Sequence, residues 1–476
     1  MFINMRIQVK TLLIFIIQII LIIASYFILI KHGTINSELS FLEISRYGTT
    51  IAILLWGLNI WLTRTIFSNI SFIYLSFVLF QFGIPILYAT SPTYVNWYLS
   101  LFSSDVLISG AVFTIFCIQW FSLGIVCSRI ISKRENKLIF ANKPWVQDND
   151  MVERAGLLLF FFSAIIYFPA TLYGAFILHD RFTLPAIGGL AKQFYFPAAF
   201  LLLTYTKKRN IKIFVYIMFF AESIAGMMTG GRTEGLLPVM VFIVYFFQYR
   251  NSSSGNNLLR EKKLNFRKNN PLRVIGLLCL LLIVLLLLVY IAQERVGQSI
   301  STEKLLNQNI YQLFVGELGF NFTTILFVMT GIDSIGYQYG QTYLSDIITL
   351  FPNALDPTGI INHFQKISGS YWLQEAYGNH LGFGLGFSLI GEAFYNFGVY
   401  GVFILFIFGI VVEKLQSKNP DKSNNWEKYV ALVILLSLLT VPRRDFYQLI
   451  KQIEYSIFFV ALYLYFFSKL KKVSEK

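Results

Sequence analysis

Charge is what this chain has least of: 13% of its 476 residues are Asp, Glu, Lys or Arg, too few to cover the surface of a soluble protein of this length. Cysteine is scarce as well, and the three present (Cys117, Cys127 and Cys279) all fall in apolar runs, which excludes a disulfide framework. The four histidines, His32, His179, His363 and His380, show no ligand spacing, so no metal site is expected. A phosphate-binding loop ending in Gly-Lys-Ser/Thr is absent, which argues against nucleotide chemistry. Period-two alternation is missing too, so a membrane β-barrel is not the reading.

What remains is apolar: 56% hydrophobic residues, 17% aromatic and a mean hydropathy of +0.61. Runs of about 20 apolar residues cross a bilayer as helices, because unpaired backbone groups cannot stay in hydrocarbon. The sequence predicts an all-α polytopic membrane protein of about 12 spans, at 11–30, 47–62, 71–88, 106–127, 157–178, 190–206, 213–228, 236–247, 274–292, 387–412, 429–439 and 455–467. The apolar N-terminal run is read as the first span and not as a cleaved signal. The net charge of +14 sits in short connecting segments, which points to topology and not to nucleic acid. With both termini in the cytoplasm, 28 of the 39 Lys and Arg fall on the cytoplasmic side.

Three regions follow from this layout. Residues 1–292 carry nine spans and a Gly-Gly-Arg outer turn, 293–386 form a large extracytoplasmic loop, and 387–476 carry the last three spans. Within the loop, 323–331 is apolar but short, and is expected in a helix at or dipping into the interface.

Arginines and one polar stripe stand out on the expected outer side. Arg232 lies in the glycine turn Thr229-Gly-Gly-Arg-Thr-Glu-Gly235, Arg295 follows the end of a span, and Arg443 and Arg444 lie in Pro442-Arg-Arg-Asp445. A guanidinium suits phosphate oxygens; each of these arginines either engages such a group or meets lipid headgroups and neighbouring acids (Glu234, Glu294, Asp445). Ser388, Glu392 and Asn396 recur every four residues, placing one polar stripe on a helix, and Gly384, Gly391 and Gly398 recur every seven, a spacing that permits close packing. An ionisable Glu392 in a span is either a functional group or an arginine's partner in the fold. His380, opening the glycine run, is either a proton acceptor or a loop hydrogen-bonding residue.

Two motifs, Met228-Thr-Gly-Gly-Arg-Thr-Glu-Gly235 and Gly386-Phe-Ser-Leu-Ile-Gly-Glu-Ala-Phe-Tyr-Asn-Phe-Gly398, resemble those of the bacterial oligosaccharide repeat unit polymerases, the Wzy class of O-antigen and capsule polymerases. The resemblance implies a glycosyltransferase of the cytoplasmic (inner) membrane, with the GT-C-like architecture shared by O-antigen polymerases and ligases. It would transfer a glycan from undecaprenyl diphosphate to another lipid-linked repeat unit at the outer face, without a cofactor. Under it, Arg232 and Arg295, with Arg443 or Arg444, would hold the diphosphate, and His380 or Glu392 would take the acceptor's proton. Tyr377 and its aromatic neighbours Tyr371, Trp372 and Phe383 would stack on sugars. A chain-length regulator is an expected partner. The rival readings are an O-antigen ligase, which shares the plan, and a lipid-linked oligosaccharide flippase, which would carry paired repeats or charge at mid-membrane.

Overall fold

The computed structural model describes residues 2–32, 40–63, 66, 68–131, 148–178, 186–228, 232–245, 310–350, 359–381, 386–416 and 424–474. Among the described residues there is no strand, and the protein is an all-helical membrane protein. Eight helices there are long and apolar enough to cross a bilayer: Val9–Ile30, Asn69–Thr90, Ser104–Ile131, Asn149–Leu178, Arg209–Met228, Leu389–Leu415, Asn425–Arg443 and Phe446–Leu470. Each coincides with an expected span. The spans expected at 47–62, 190–206 and 236–247 also fall on helices, Phe41–Thr63, Ala186–Tyr205 and Arg232–Val244. The one expected at 274–292 lies outside the described residues.

Local chemistry sets several helix ends. Ser68 accepts the amide of Ser71 at 3.1 Å and Asp148 that of Asp150 at 3.0 Å, each satisfying one of the donors a helix start leaves over. Pro85, Pro169, Pro197 and Pro238 lie inside helices, which packed neighbours in a membrane protein tolerate.

The chain divides into two compact units. The first comprises residues 1–137, 315–416 and 437–452; the second comprises 138–314, 417–436 and 453–476. In the second unit Asn149–Tyr173 packs on Ala186–Tyr205, and Arg209–Met228 on Arg232–Val244. Tyr463 donates to the carbonyl of Ala155 at 3.0 Å and Tyr245 to that of Leu203 at 2.8 Å, tying distant parts of that unit together.

The first unit is organised on Ser104–Ile131 and Leu389–Leu415, which run in the same direction. Phe113 meets Phe394, Trp120 meets Phe403 and Phe121 meets Phe408, with ring centroids 5.0, 5.1 and 5.7 Å apart. Beyond them Arg129 Nε pairs with Glu413 Oε1 at 2.6 Å. Close approach depends on Gly124 and Gly409: a Cβ on Gly124 would strike the Phe406 carbonyl, and one on Gly409 the Phe121 carbonyl. At about 1.5 Å per residue the 27-residue Leu389–Leu415 segment is roughly 40 Å long, more than the ~30 Å of hydrocarbon it must cross. Glu392 and Glu413 therefore sit near its opposite ends.

The apolar piece of the expected loop is a helix, Phe322–Ile335, enclosed by other helices. Nine of its residues are buried, among them Phe322, Thr323, Thr324, Leu326 and Val328, and it packs on Asn69–Thr90, Ser104–Ile131 and Leu389–Phe397. The period-3.6 apolar pattern gives the helix; its enclosure comes from the neighbours it meets.

Candidate active site

The start of Leu389–Leu415 is where distant stretches of the first unit converge. Ser388 caps the helix by accepting the Gly391 amide at 3.0 Å. Thr324 then donates to the Gly386 carbonyl at 2.8 Å, and a Cβ on Gly391 would lie 2.9 Å from Thr324 Cγ2. The expected close packing at Gly391 is thus present. Gly398, at φ 57°, ends the first helical piece at Phe397 in a conformation that suits glycine, and the chain resumes as a helix at Val402.

All three members of the polar stripe are buried, Ser388 and Asn396 at 0% exposure and Glu392 at 1%. Asn396 and Glu392 have partners in the expected loop. Asn396 Nδ2 donates to Thr342 Oγ1 at 2.7 Å, Asn396 Oδ1 accepts the Gly340 amide at 2.9 Å, and Thr342 donates to Glu392 Oε1 at 2.9 Å. The amides of Gln338 and Tyr339 bond the carbonyls of Tyr395 and Asn396, both at 3.0 Å. The stripe docks residues 338–348 onto the span.

Glu392 Oε2 accepts the Phe446 amide at 2.8 Å. That bond joins the stripe to the Pro442-Arg-Arg-Asp445 turn, 50 residues on in sequence and itself held by Gln81 and Asn321, which both donate to the Pro442 carbonyl. Gly386 lies against the same turn, since a Cβ there would be 3.4 Å from the Arg443 carbonyl oxygen. Arg443 and Arg444 are half-buried, and Arg444 Nη1 donates to Gln448 Oε1 at 3.2 Å. Among the described residues Glu392 is therefore met by a hydroxyl and a backbone amide, not by a guanidinium.

Two further acids stand beside it: Asp346, which the sequence does not mark, and Asp445, expected only as a neighbour of Arg444. Asp346 is 1% exposed and accepts the Tyr447 amide at 3.0 Å; Asp445 is 6% exposed and accepts from Ser370 Oγ at 2.8 Å. Burial, reinforced by the charges of Glu392 and Asp445, pushes the Asp346 carboxyl well above the ordinary aspartate range. Burial also raises Asp445, against the opposing pull of Ser370, the Gln448 amide and Arg444. Only the Arg-Arg-Asp turn hinted at Asp445; nothing in the spacing of 341–348 marked Asp346.

The remaining expected residues are distributed differently. His380 is exposed on the short helix Asn379–Leu381. Tyr377 is half-buried, its ring against Phe327 at 4.7 Å and edge-on to Trp372 at 5.9 Å, and Trp372 stacks on Tyr395 at 5.1 Å. Tyr371 is 43% exposed. Arg232 opens the helix Arg232–Val244 in the second unit; Arg295 and Phe383 lie outside the described residues. No group of three or more His, Cys, Asp or Glu with metal-holding geometry occurs among the described residues.

The family model described as O-antigen polysaccharide polymerase Wzy matches residues 11–473. Comparison with curated proteins and with solved structures finds no match in either.

Proposed function

Because the chain belongs to the O-antigen polysaccharide polymerase Wzy family, whose activity is repeat-unit polymerisation in a membrane, we propose that its donor is a glycan on undecaprenyl diphosphate and that transfer takes place at the outer face of the cytoplasmic membrane. One observation carries the reading: the 2.8 Å bond from the Phe446 amide to Glu392, which fixes the Arg443-Arg444 turn to the head of Leu389–Leu415. Two cations and Gly386 then share one end of the unit, opposite the Arg129–Glu413 pair.

In this mechanism Arg443 and Arg444 hold the donor diphosphate; Arg232, in the second unit, and Arg295, outside the described residues, are separate candidates for the same role. As the bond from the anomeric carbon to the phosphate oxygen breaks, its electron pair adds negative charge to the diphosphate, which guanidinium groups stabilise. The acceptor hydroxyl forms the new glycosidic bond and gives up its proton. His380 is the candidate of greater reach, being exposed, whereas the burial of Glu392 suits it to holding the turn and the loop in place. Tyr371 and Tyr377 are the candidate sugar-stacking rings beside His380.

The same reading puts both termini in the cytoplasm, with twelve spans and, between regions 1–292 and 387–476, an extracytoplasmic loop at 293–386 whose helix Phe322–Ile335 dips in among the spans. The common direction of Ser104–Ile131 and Leu389–Leu415 supports it, since two parallel crossings require an odd number between them, and five are expected. A polysaccharide chain-length regulator is the proposed protein partner. Reconstitution in liposomes with lipid-linked repeat units tests the site. We expect Arg443→Ala, Arg444→Ala and His380→Ala each to slow polymer formation at least tenfold; correctly inserted variants that retain the wild-type rate and ladder would remove those residues from the mechanism.

A further inference from the structure

Three carboxylates meet at the start of one helix, Phe446–Ile453. Asp445 immediately precedes it, Glu392 takes the Phe446 amide and Asp346 takes the Tyr447 amide. Asp346 and Glu392 thus accept from consecutive amides, and the charge of Glu392 acts on Asp346. Two carboxylates that share a buried site disfavour each other's charge, which favours a proton on one of them. A helix N-terminus offers about half a positive charge, which does not balance three buried anions.

A proton shared between two of them supplies part of the balance, and two buried polar atoms there have no hydrogen-bond partner among the described residues. Asp445 Oδ1 is buried without a hydrogen-bond partner among the described residues, and so is the Tyr343 hydroxyl, which lies close enough to feel the charges of both Glu392 and Asp346. Thr342 and Ser370 donate to Glu392 and Asp445, and Arg444 is the cation whose charge acts on Asp445.

We propose that Asp346 is a positioning residue for polymerisation: it carries a proton shared with Glu392, and that proton locks Glu392 on the Phe446 amide and thereby fixes the Arg443-Arg444 turn. Of the three, Asp346 is the natural carrier, because burial and two neighbouring acids favour its neutral form. The sign follows. An acid raised on folding contributes stability that is present at low pH and lost as pH rises above the ordinary aspartate range toward the folded value. Alkaline conditions therefore unlock the turn.

The proposal rests on the polymerase site described above, and its test separates the two. Asp346→Asn keeps an acceptor for the Tyr447 amide and offers Glu392 an N–H at every pH; Asp346→Ala does neither. In liposomes with lipid-linked repeat units, we expect the wild type to lose rate at alkaline pH and Asp346→Asn to retain at least a third of the neutral-pH rate with that loss reduced at least threefold. Asp346→Ala should raise KM for the donor lipid tenfold or more. Unfolding temperature in detergent should fall with rising pH in the wild type and stay nearly level in Asp346→Asn, a readout independent of turnover. An unchanged alkaline limb and unchanged pH dependence of unfolding in Asp346→Asn would overturn the shared proton. A wild type that makes no polymer, yet differs from Asp346→Asn in unfolding, would overturn the site and leave the proton in place.

Discussion

Asn396→Ala tests the docking of the loop on the polar stripe. Asn396 is completely buried and makes three side-chain bonds, to Thr342 Oγ1 at 2.7 Å, to the Glu392 carbonyl at 2.9 Å and from the Gly340 amide at 2.9 Å. The Glu392 carbonyl lies within the helix, so little is lost there. Two contacts to the loop remain, each about 0.5–1.5 kcal/mol net, and the Gly340 amide, buried by docking, adds about 1 kcal/mol more when stranded. The sum is about 2–4 kcal/mol of docking free energy, a shift of roughly 30–900-fold in the open fraction of residues 336–348. Limited proteolysis of the detergent-solubilised protein reads it, with cleavage after Tyr337, Tyr339 or Tyr343 rising by that factor. A double-mutant cycle with Thr342→Val should show coupling of about 1 kcal/mol. Unchanged cleavage, or additive single effects, would show that the stripe does not hold the loop.

Two further outcomes follow from the long helices. Gly124→Leu should prevent Ser104–Ile131 from meeting Leu389–Leu415 and cost at least about 3 kcal/mol, because the obstacle is the Phe406 backbone and not a movable side chain; Gly57→Leu, where a Cβ meets nothing within 4 Å, should leave the unfolding temperature unchanged. Arg129→Met removes the 2.6 Å ion pair from Glu413, which is 1% exposed, and should destabilise by up to about 3–5 kcal/mol, with Glu413→Gln in the same chain recovering part of the loss in thermal unfolding.

Much of this architecture is legible in the chain because hydrocarbon imposes its own rule on sequence. A run such as Ser104–Ile131 must be helical, and its length alone says that it can cross. The Ser388, Glu392, Asn396 stripe was equally readable, since four-residue spacing places three polar groups on one face whatever lies opposite. What lies opposite was not readable. Thr342 and Asp346 come from a short polar helix with no span-like pattern, and only tertiary packing brings them to Glu392. The same holds for the contacts of Trp372 and Tyr377, whose rings meet Tyr395 and Phe327 through tertiary packing that their spacing does not announce. Phe322–Ile335 shows the limit from the other side: short apolar helices look alike whether they lie on an interface or inside a bundle.

The most direct test of repeat-unit polymerisation is the glycan profile of a strain lacking this chain, with surface and lipid-linked material resolved by gel and mass spectrometry. The account predicts single repeat units in place of polymer, and recovery of the ladder with the wild-type chain but not with Arg444→Ala. Full-length polymer retained on the carrier lipid, or repeat units trapped at the inner face, would contradict it.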